Sequence, residues 1–212
     1  MLSRISTTTA PLLVFLAVLL YGLVHSWLAS LTLKALVRRL SSHLTDRFYR
    51  LAYNLFALLS LAPVLALPFL LPDRRIYTIP NPWLAFTLAL QGLALGLLGI
   101  GLLETGVWSF LGVRQLTNPK PEHSEQLVTR GLYSWVRHPL YAAGLAFIWL
   151  TPVMTWNILA LNIGLTLYLL IGAALEERKL LYEFGEAYAR YRKRTPMLIP
   201  SISFIPCLNR KG

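Results

Sequence analysis

The sequence predicts an all-α polytopic membrane protein, and two observations support this fold class. First, 56% of the 212 residues are hydrophobic and only 14% are charged, whereas soluble domains carry about 25% charged residues. Second, the apolar residues are grouped in nearly uncharged segments, most of them close to the roughly 20 residues that a helix needs to cross a bilayer. We therefore predict about five transmembrane helices, at residues 10–33, 51–71, 83–103, 140–153 and 156–175.

The distribution of positive charge predicts the orientation. With an external N-terminus and five crossings, every lysine and arginine except Arg4, Arg74 and Arg75 falls on the internal side, which is the positive-inside pattern. A net charge of +11 can also indicate nucleic-acid binding, but this asymmetry argues against it. We expect a protein of the bacterial inner membrane with a cytosolic C-terminus, membrane lipid as a partner and no nucleic acid.

The first apolar segment is interpreted as a retained helix. The triplet 28–30 (Leu-Ala-Ser) resembles a signal-peptide cleavage site. Cleavage there would leave Arg38 and Arg39 outside, against the charge rule. A basic loop is expected next, with Asp46 capping the second helix, which Pro63 and Pro68 should bend.

The remaining elements follow from turn residues and spacing. An external turn is expected over 73–82, and the third helix carries Gly92, Gly96 and Gly99 on one face, where small residues permit close packing. Residues 104–137 are the longest interruption, with loop chemistry at 118–123. The fourth helix is short for a full crossing and should form a hairpin with the fifth through a tight turn at 151–155. Residues 176–194 predict an amphipathic C-terminal helix.

We expect a single membrane domain over 1–212. Within it, 1–111 would form a three-helix N-terminal part, 112–200 a functional core and 201–212 a tail. Gln91 and Asn162 are polar residues inside helices, so each is either an interhelical hydrogen-bonding group or part of an acceptor cavity. His25 is expected to satisfy a helix-packing bond.

Polar residues that can hold an ionic ligand lie where the fourth helix begins and the fifth ends. The helix start at 138–141 offers N–H groups without intrahelical partners, which favour a carboxylate or phosphate. Arg130 and Arg137 add cationic donors, and Glu176 and Glu177 can bind an ammonium group or ribose hydroxyls. Aromatic faces come from Tyr133, Trp135 and Tyr141. A pocket with both charge signs suits a zwitterionic cofactor that has an amino-acid end and a nucleoside end.

The motifs at these positions resemble those of the integral-membrane methyltransferase superfamily, which includes isoprenylcysteine carboxyl methyltransferases and phospholipid N-methyltransferases. They are RGLYSWVRHPLY at 130–141, LEER at 175–178 and FGEAYARYRKRTPMLIP at 184–200. Within that group, GVRQ at 112–115, TPVMT at 151–155 and PMLIP at 196–200 look most like bacterial thiol S-methyltransferases of the methanethiol type. HSWLAS at 25–30 and RFYRLAYN at 47–54 also resemble the NnrU membrane proteins, which are tied to denitrification.

The resemblance implies S-adenosylmethionine as methyl donor. Cofactor-binding roles would fall on Gln115, Gly131, Leu132, Tyr133, His138, Tyr141, Glu176 and Glu177, together with Gly99 and Gly101, which match a GxG pattern of the phospholipid enzymes. Arg137 would hold an anionic group, and His138 would bind the cofactor or act as a base. Tyr188, Tyr191 and Arg194 are candidate substrate contacts. The family has glycine two places after the tyrosine, where this chain has Ala143 followed by Gly144.

Several alternatives remain beside methyl transfer. The acceptor is expected to be a thiol first and a prenylcysteine or lipid second, and the competing interpretation is a non-catalytic NnrU-type membrane protein. A transporter is disfavoured because the first three helices carry no charge at mid-depth. No metal is expected, since the four histidines share no close ligand spacing and Cys207 is the single cysteine. Two adjacent glutamates at a helix exit are often only a solvated face, and GxG in a helix is often a packing feature.

Overall fold

A computed structural model describes residues 5–40, 42–113, 116 and 127–200. This part of the chain is mostly helical, as the sequence predicts. Its helices are α1 (Ala10–Leu28), α2 (Leu31–Leu40), α3 (Ser42–Leu70), α4 (Trp83–Thr105), α5 (Val107–Leu111), α6 (Pro139–Trp149), α7 (Trp156–Phe184) and α8 (Glu186–Arg194). The other elements are a 3-10 turn at Gly131–Ser134 and two short strands, β1 (Arg75–Thr78) and β2 (Val153–Thr155).

The all-α membrane fold class is confirmed by helix length and composition. Among the described residues, four helices are long and apolar enough to cross a membrane: α1, Phe48–Leu70 of α3, α4 and α7. The segment expected to be the fourth of about five crossings forms α6, which has 11 residues. At 1.5 Å per residue it is about 16 Å long, against a hydrocarbon core of about 30 Å.

The chain forms two compact units, and the first consists of Met1–Asn81, Gly106–Glu122 and Pro152–Tyr168. Its core follows one face of α1, since the buried α1 residues are spaced three or four apart. The core residues are Ala10, Val14, Val18, Tyr21, Val64, Leu71 and Leu161. Gly164 of α7 allows a close approach to α1, because a Cβ there would lie 3.0 Å from Val18.

The basic loop expected after the first span is helical instead. Helix α1 ends at Leu28. Ser30 is the N-cap of α2, because its hydroxyl accepts a hydrogen bond from the Leu33 N–H at 3.2 Å. The next helix already begins at Ser42, so the expectation that Asp46 caps its first turn is wrong. Helix α3 runs on through Pro63 and Pro68 to Leu70.

Two segments expected to be turns pair with each other as antiparallel strands. The register joins Arg75 to Thr155 and Thr78 to Val153, with an irregularity between Arg75 and Tyr77. Next to the strands, at the start of α7, the Asn157 side-chain amide faces the carbonyl groups of Pro68, Leu71 and Pro72 at 3.3–3.5 Å. These carbonyls lie in the last turn of α3 or directly after it, where backbone acceptors lack intrahelical partners.

The second unit consists of Pro82–Thr105, His123–Thr151 and Leu169–Gly212. Helices α4 and α6 pack together in it, and the Gln91 amide donates to the Phe147 carbonyl at 3.1 Å. Gln91 is thus an interhelical hydrogen-bonding residue. The division of the chain at residue 112 stays a prediction.

The glycine that supports close packing in α4 differs from the three expected. A Cβ added at Gly92, Gly96 or Gly99 would meet no described atom within 4 Å, so the prediction that this face packs closely is wrong. A Cβ at Gly101 would lie 2.9 Å from Leu140 Cδ2. Gly101 therefore permits the contact between α4 and the first turn of α6.

The C-terminal helical segment is interrupted once. Gly185 has φ +51° and ψ −126°, a conformation that glycine adopts far more readily than other residues. The predicted extension over 176–194 is therefore divided into the end of α7 and the separate helix α8. Glu186 lies in the first turn of α8 and three basic residues lie in its last turn, which complements the helix dipole.

Candidate functional site

The turn before α6 is fixed by a carboxylate at the end of α4. Both Glu104 oxygens lie within hydrogen-bonding distance of the Leu132 N–H, at 3.2 and 3.4 Å. Gly131 has φ +62°, and a Cβ there would collide with the Glu104 carboxylate. Glycine is therefore required at 131 both by the backbone conformation and by the contact with Glu104.

A buried ion pair joins the start of α6 to α7. Arg137 donates from Nε to Glu177 Oε1 at 2.7 Å, and its Nη2 lies 2.5 Å from the same oxygen. Its Nη1 donates to the carbonyls of Thr195 at 2.5 Å and Arg192 at 3.1 Å. The Arg137 and Glu177 side chains are each 9% exposed. The guanidinium thus holds the end of α8 and the Glu177 carboxylate together.

The segment after α8 covers the backbone at the start of α6. Arg137 N–H donates to the Pro196 carbonyl at 2.8 Å, and His138 N–H donates to the Met197 carbonyl at 3.1 Å. The His138 carbonyl accepts from Ala142 at 3.0 Å and so begins the helix. The expectation that His138 offers its N–H to an anion is therefore wrong, because a backbone carbonyl already occupies it.

The His138 ring lies between the two glutamates and is 6% exposed as a residue. It stacks on Tyr141 with a centroid distance of 5.3 Å and an interplanar angle of 6°. Nδ1 lies 3.7 Å from Glu176 Oε2, and Nε2 lies 3.4 Å from Glu177 Oε1. The Tyr141 hydroxyl donates to Glu176 Oε2 at 3.0 Å. Glu176 is 46% exposed and Glu177 is buried, so the adjacent carboxylates face different environments.

Three tyrosines of the site are held in the neutral form. Burial, with a contribution from the Glu177 charge, raises the pKa of Tyr188 to about 12, against the opposing effect of Arg137. Burial and the charges of Glu176 and Glu104 raise the pKa of Tyr133 to about 12. Burial also raises the pKa of Tyr191, whose hydroxyl donates to the Tyr133 carbonyl at 2.6 Å. These hydroxyls remain donors at neutral pH.

Two buried polar atoms of the site have charged neighbours but make no hydrogen bond of good geometry among the described residues. They are His138 Nε2 and the hydroxyl oxygen of Tyr188, a residue that is 1% exposed. Its ring contacts Tyr191 edge to face at 5.9 Å. Unsatisfied buried polar groups are uncommon and costly, and two in one cluster favour a polar ligand or water that completes it.

The structure brings most of the predicted site residues together. The cluster unites Arg137, His138, Tyr141, Glu176, Glu177 and Tyr188, with the turn at Gly131, Leu132 and Tyr133 held against it by Tyr191. Gly101 supports the start of α6 from α4, and Arg194 is exposed in the last turn of α8. Gln115 and the loop at 118–123 lie outside the described residues.

Three contributors were not predicted from the sequence. Glu104 is the only charged residue in α4, and this isolation is a signal that could have identified it. Arg192 Nε lies 3.5 Å from Glu177 Oε2, and Thr195 contributes a backbone carbonyl, which has no sequence signature. No group of three or more metal-ligating side chains occurs in the part of the chain that the structure describes.

Comparisons with known proteins show what the whole chain is similar to. Residues 87–187 match the phospholipid methyltransferase family. The chain is 33% identical over 203 residues to methanethiol S-methyltransferase 1 of Bradyrhizobium diazoefficiens. The aligned region covers 92% of this chain and 68% of that protein. It is 46% identical over 71 residues to the methanethiol S-methyltransferase of Pseudomonas deceptionensis, covering 34% of this chain and 27% of that one.

A eukaryotic relative extends the same relationship. The chain is 29% identical over 154 residues to human protein-S-isoprenylcysteine O-methyltransferase, covering 63% of this chain and 54% of the human protein. The chain thus spans about two thirds of the length of the Bradyrhizobium protein and smaller parts of the other two. No solved structure matches it.

Proposed function

Because the chain belongs to the phospholipid methyltransferase family, we propose that it transfers a methyl group from S-adenosylmethionine to a small thiol at the membrane surface. The same relatives, together with the four spanning-length helices, confirm an integral-membrane methyltransferase. The observation that carries the proposal is the cluster of Arg137, His138, Glu176 and Tyr188, which combines both charge signs with buried polar atoms that make no hydrogen bond of good geometry.

The residues present fit such a cofactor chemically. S-adenosylmethionine offers an ammonium group, a carboxylate and ribose hydroxyls. Glu176, which is about half exposed, suits the ammonium group or the ribose. The Tyr188 hydroxyl suits the carboxylate, and Arg137, which is engaged with Glu177 and two backbone carbonyls, adds positive charge beside it. Tyr133 and Tyr141 present aromatic faces beside them. When bound, the cofactor supplies a sulfonium methyl group that needs no enzyme nucleophile.

The protein's part in the reaction is then to bind and orient. Correct placement of two reactants can contribute about 7–11 kcal/mol to the lowering of a barrier. We assign His138 a binding role, because its ring is buried, stacked on Tyr141 and flanked by both glutamates. A thiol acceptor must also lose a proton, whereas a carboxylate acceptor need not. His138 is therefore the candidate base if the acceptor is a thiol.

The choice of a thiol follows the breadth of the similarity. The relative that aligns with 92% of this chain is named for methanethiol, and the relative named for isoprenylcysteine aligns with 63%. A prenylcysteine or lipid acceptor is the second candidate. We place the cofactor site on the cytosolic face of a bacterial inner membrane, with the N-terminus outside, because the positive charges concentrate on that side.

Binding and turnover test this proposal in sequence. Titration calorimetry on the purified chain should detect S-adenosylmethionine and its demethylated product. Glu176→Ala and Glu177→Ala should each weaken binding strongly, while Glu183→Ala, at an exposed glutamate of α7, should leave it unchanged. Absence of binding, or equal affinity in all three variants, would remove the proposed site.

A methyl-transfer screen then identifies the acceptor. Methanethiol and other small thiols, prenylcysteines and phospholipids are offered to the same preparation with labelled S-adenosylmethionine. We expect transfer to small thiols. Transfer to prenylcysteine alone would replace the thiol proposal with the second candidate, and cofactor binding without any transfer would favour a non-catalytic protein.

A further inference from the structure

A groove in the first unit is lined by none of the residues assigned to methyl transfer. It has a volume of about 380 Å³, at the lower end of the range of ligand sites. Helices α1 and α3 form its walls, and the lining residues are Val24, Trp27, Leu28, Tyr49, Ala52, Tyr53 and Phe56. It begins where α1 ends and where the spanning part of α3 starts.

The polar atoms at this groove are already paired. The Tyr49 hydroxyl donates to the Leu28 carbonyl at 2.5 Å. The Tyr53 hydroxyl lies 2.6 Å from His25 Nε2, and the Tyr168 hydroxyl lies 2.8 Å from His25 Nδ1. His25 therefore fulfils its predicted role as a helix-packing residue. Because the two lining hydroxyls are paired, the groove presents rings and aliphatic groups, which suit a hydrocarbon chain.

The segment that joins the two walls of the groove is strongly basic. Helix α2 joins the two walls and packs against both. Residues 31–50 contain five lysines and arginines against one acidic residue. Four of these cationic side chains are exposed: Lys34, Arg38, Arg39 and Arg50. A basic amphipathic helix beside a membrane-spanning pair attracts anionic lipid head groups.

We propose that this groove binds one acyl chain of an anionic membrane phospholipid, whose phosphate is held by the basic residues of α2 and by Arg50. The apolar lining selects the chain, and the charge at one end selects the head group. The site is separate in sequence and in side chains from the proposed cofactor site, so it does not depend on the acceptor of methyl transfer.

Trp27 provides a reporter, because it lines the groove and is 63% exposed. The full chain is reconstituted in vesicles of phosphatidylglycerol and phosphatidylcholine in fixed proportion, with brominated chains on one lipid or on the other. The quenching of Trp27 alone is the fluorescence quenching of the unaltered chain minus that of the Trp27→Phe variant. We expect brominated phosphatidylglycerol to quench Trp27 more strongly than brominated phosphatidylcholine at the same mole fraction.

Two kinds of variant separate the chain site from the head-group site. Ala52→Phe fills the groove and should abolish the preference, whereas Ala62→Phe, on an exposed part of the same helix outside the groove, should retain it. Arg38→Gln with Arg39→Gln should lower the preference by about fivefold for each arginine removed, which corresponds to roughly 1 kcal/mol. Arg74→Gln with Arg75→Gln removes two exposed charges elsewhere and should have no effect.

Other results would overturn the proposal. Equal quenching by the two lipids, or a preference that survives Ala52→Phe, would exclude a selective site in the groove. A preference that survives loss of Arg38 and Arg39 would exclude head-group selection by α2. Protection of Trp27 that increases with protein-to-lipid ratio would indicate a second copy of the chain as the occupant. Displacement of the brominated lipid by a prenyl alcohol would indicate an isoprenoid site.

Discussion

Arg137 and Glu177 form a buried pair in which two guanidinium nitrogens approach a single carboxylate oxygen, at 2.7 and 2.5 Å. Forty residues separate them in the sequence, so the pair ties the start of α6 to α7. Arg137 also binds the Thr195 carbonyl, which brings the segment after α8 into the same network. Stability and cofactor binding should therefore be coupled at this pair.

Removing one member of the pair should be costly. Arg137→Leu leaves the buried Glu177 charge with only the longer contacts to Arg192 and His138, and Glu177→Leu leaves the buried Arg137 charge without its carboxylate. Each should lower the free energy of unfolding by about 3–5 kcal/mol, the usual cost of breaking a buried ion pair. Denaturant unfolding in detergent micelles, followed by circular dichroism, measures these changes.

The double variant Arg137→Leu with Glu177→Leu completes a thermodynamic cycle. It removes both charges together, so its loss of stability should be smaller than the sum of the two single losses. A double variant that loses the full sum would show that the two side chains contribute independently, contrary to the geometry.

The adjacent glutamates should separate into a binding role and a structural role. Glu176→Gln changes a side chain that is 46% exposed, so stability should change by less than about 0.5 kcal/mol. Its affinity for S-adenosylmethionine should fall by about 10- to 100-fold, as expected for a lost hydrogen bond to a charged group. Calorimetry and unfolding on the same preparation measure both quantities.

Glu177→Gln provides the comparison, because it weakens the contact with Arg137. It should lower both stability and affinity. If Glu176→Gln proves as destabilising as Glu177→Gln, or binds the cofactor normally, the assignment of Glu176 to the ligand is wrong.

The central residues of the site could be predicted because they belong to helix ends. Arg137 and His138 precede a proline at the start of a helix, and Glu176 and Glu177 follow a long apolar segment. Polar residues at the start of one membrane helix and at the end of the next lie at the same end of the two helices. Their detailed partners could not be predicted, because the carbonyls of Thr195, Pro196 and Met197 are backbone atoms common to every sequence.

The fold was less predictable where the composition of a segment indicated a loop or turn and the segment forms a helix or strand. Residues 34–50 have the composition of a basic loop, yet 34–40 belong to α2 and 42–50 to α3. The Ser30 hydroxyl caps α2, whose polar face is charged. The strands β1 and β2 have only four and three residues. An alternation of apolar and polar residues cannot be recognised over so few positions, and the pairing depends on contacts distant in sequence.

Stability should fall at high pH because Tyr188 is held neutral. Its pKa is raised to about 12 in the folded protein, against about 10 in an unfolded chain. The unfolded chain therefore loses this proton first as the pH rises, and the stabilising contribution disappears between about pH 10 and pH 12. Melting temperatures measured over that range should fall less steeply in Tyr188→Phe than in the unaltered chain.

The same variant tests whether the Tyr188 hydroxyl serves a ligand. The hydroxyl lies beside Arg137 but makes no hydrogen bond of good geometry among the described residues, so its removal should lower the free energy of unfolding at neutral pH by less than about 1 kcal/mol. Affinity for S-adenosylmethionine should nevertheless fall. Unchanged affinity would leave the hydroxyl without a role in the site, and a large loss of stability at pH 7 would indicate an internal partner.

Alanine substitutions at three glycines should give three different results. Gly131→Ala places a Cβ against Glu104 at φ +62°, and the left-handed conformation alone costs about 1–2 kcal/mol. Gly101→Ala requires only that the flexible end of Leu140 shift from 2.9 Å, so its loss of stability should be smaller. Gly99→Ala meets no described atom within 4 Å and should stabilise α4 by about 0.5–1 kcal/mol.

Cofactor affinity then separates packing from binding at the GxG pair. If Gly99 contacts the cofactor, Gly99→Ala should weaken S-adenosylmethionine binding while the helix becomes more stable, a combination that a packing defect cannot produce. Gly101→Ala acts through Leu140 and the start of α6, so any loss of affinity there should accompany a loss of stability. Normal affinity in Gly99→Ala would exclude Gly99 from the cofactor site.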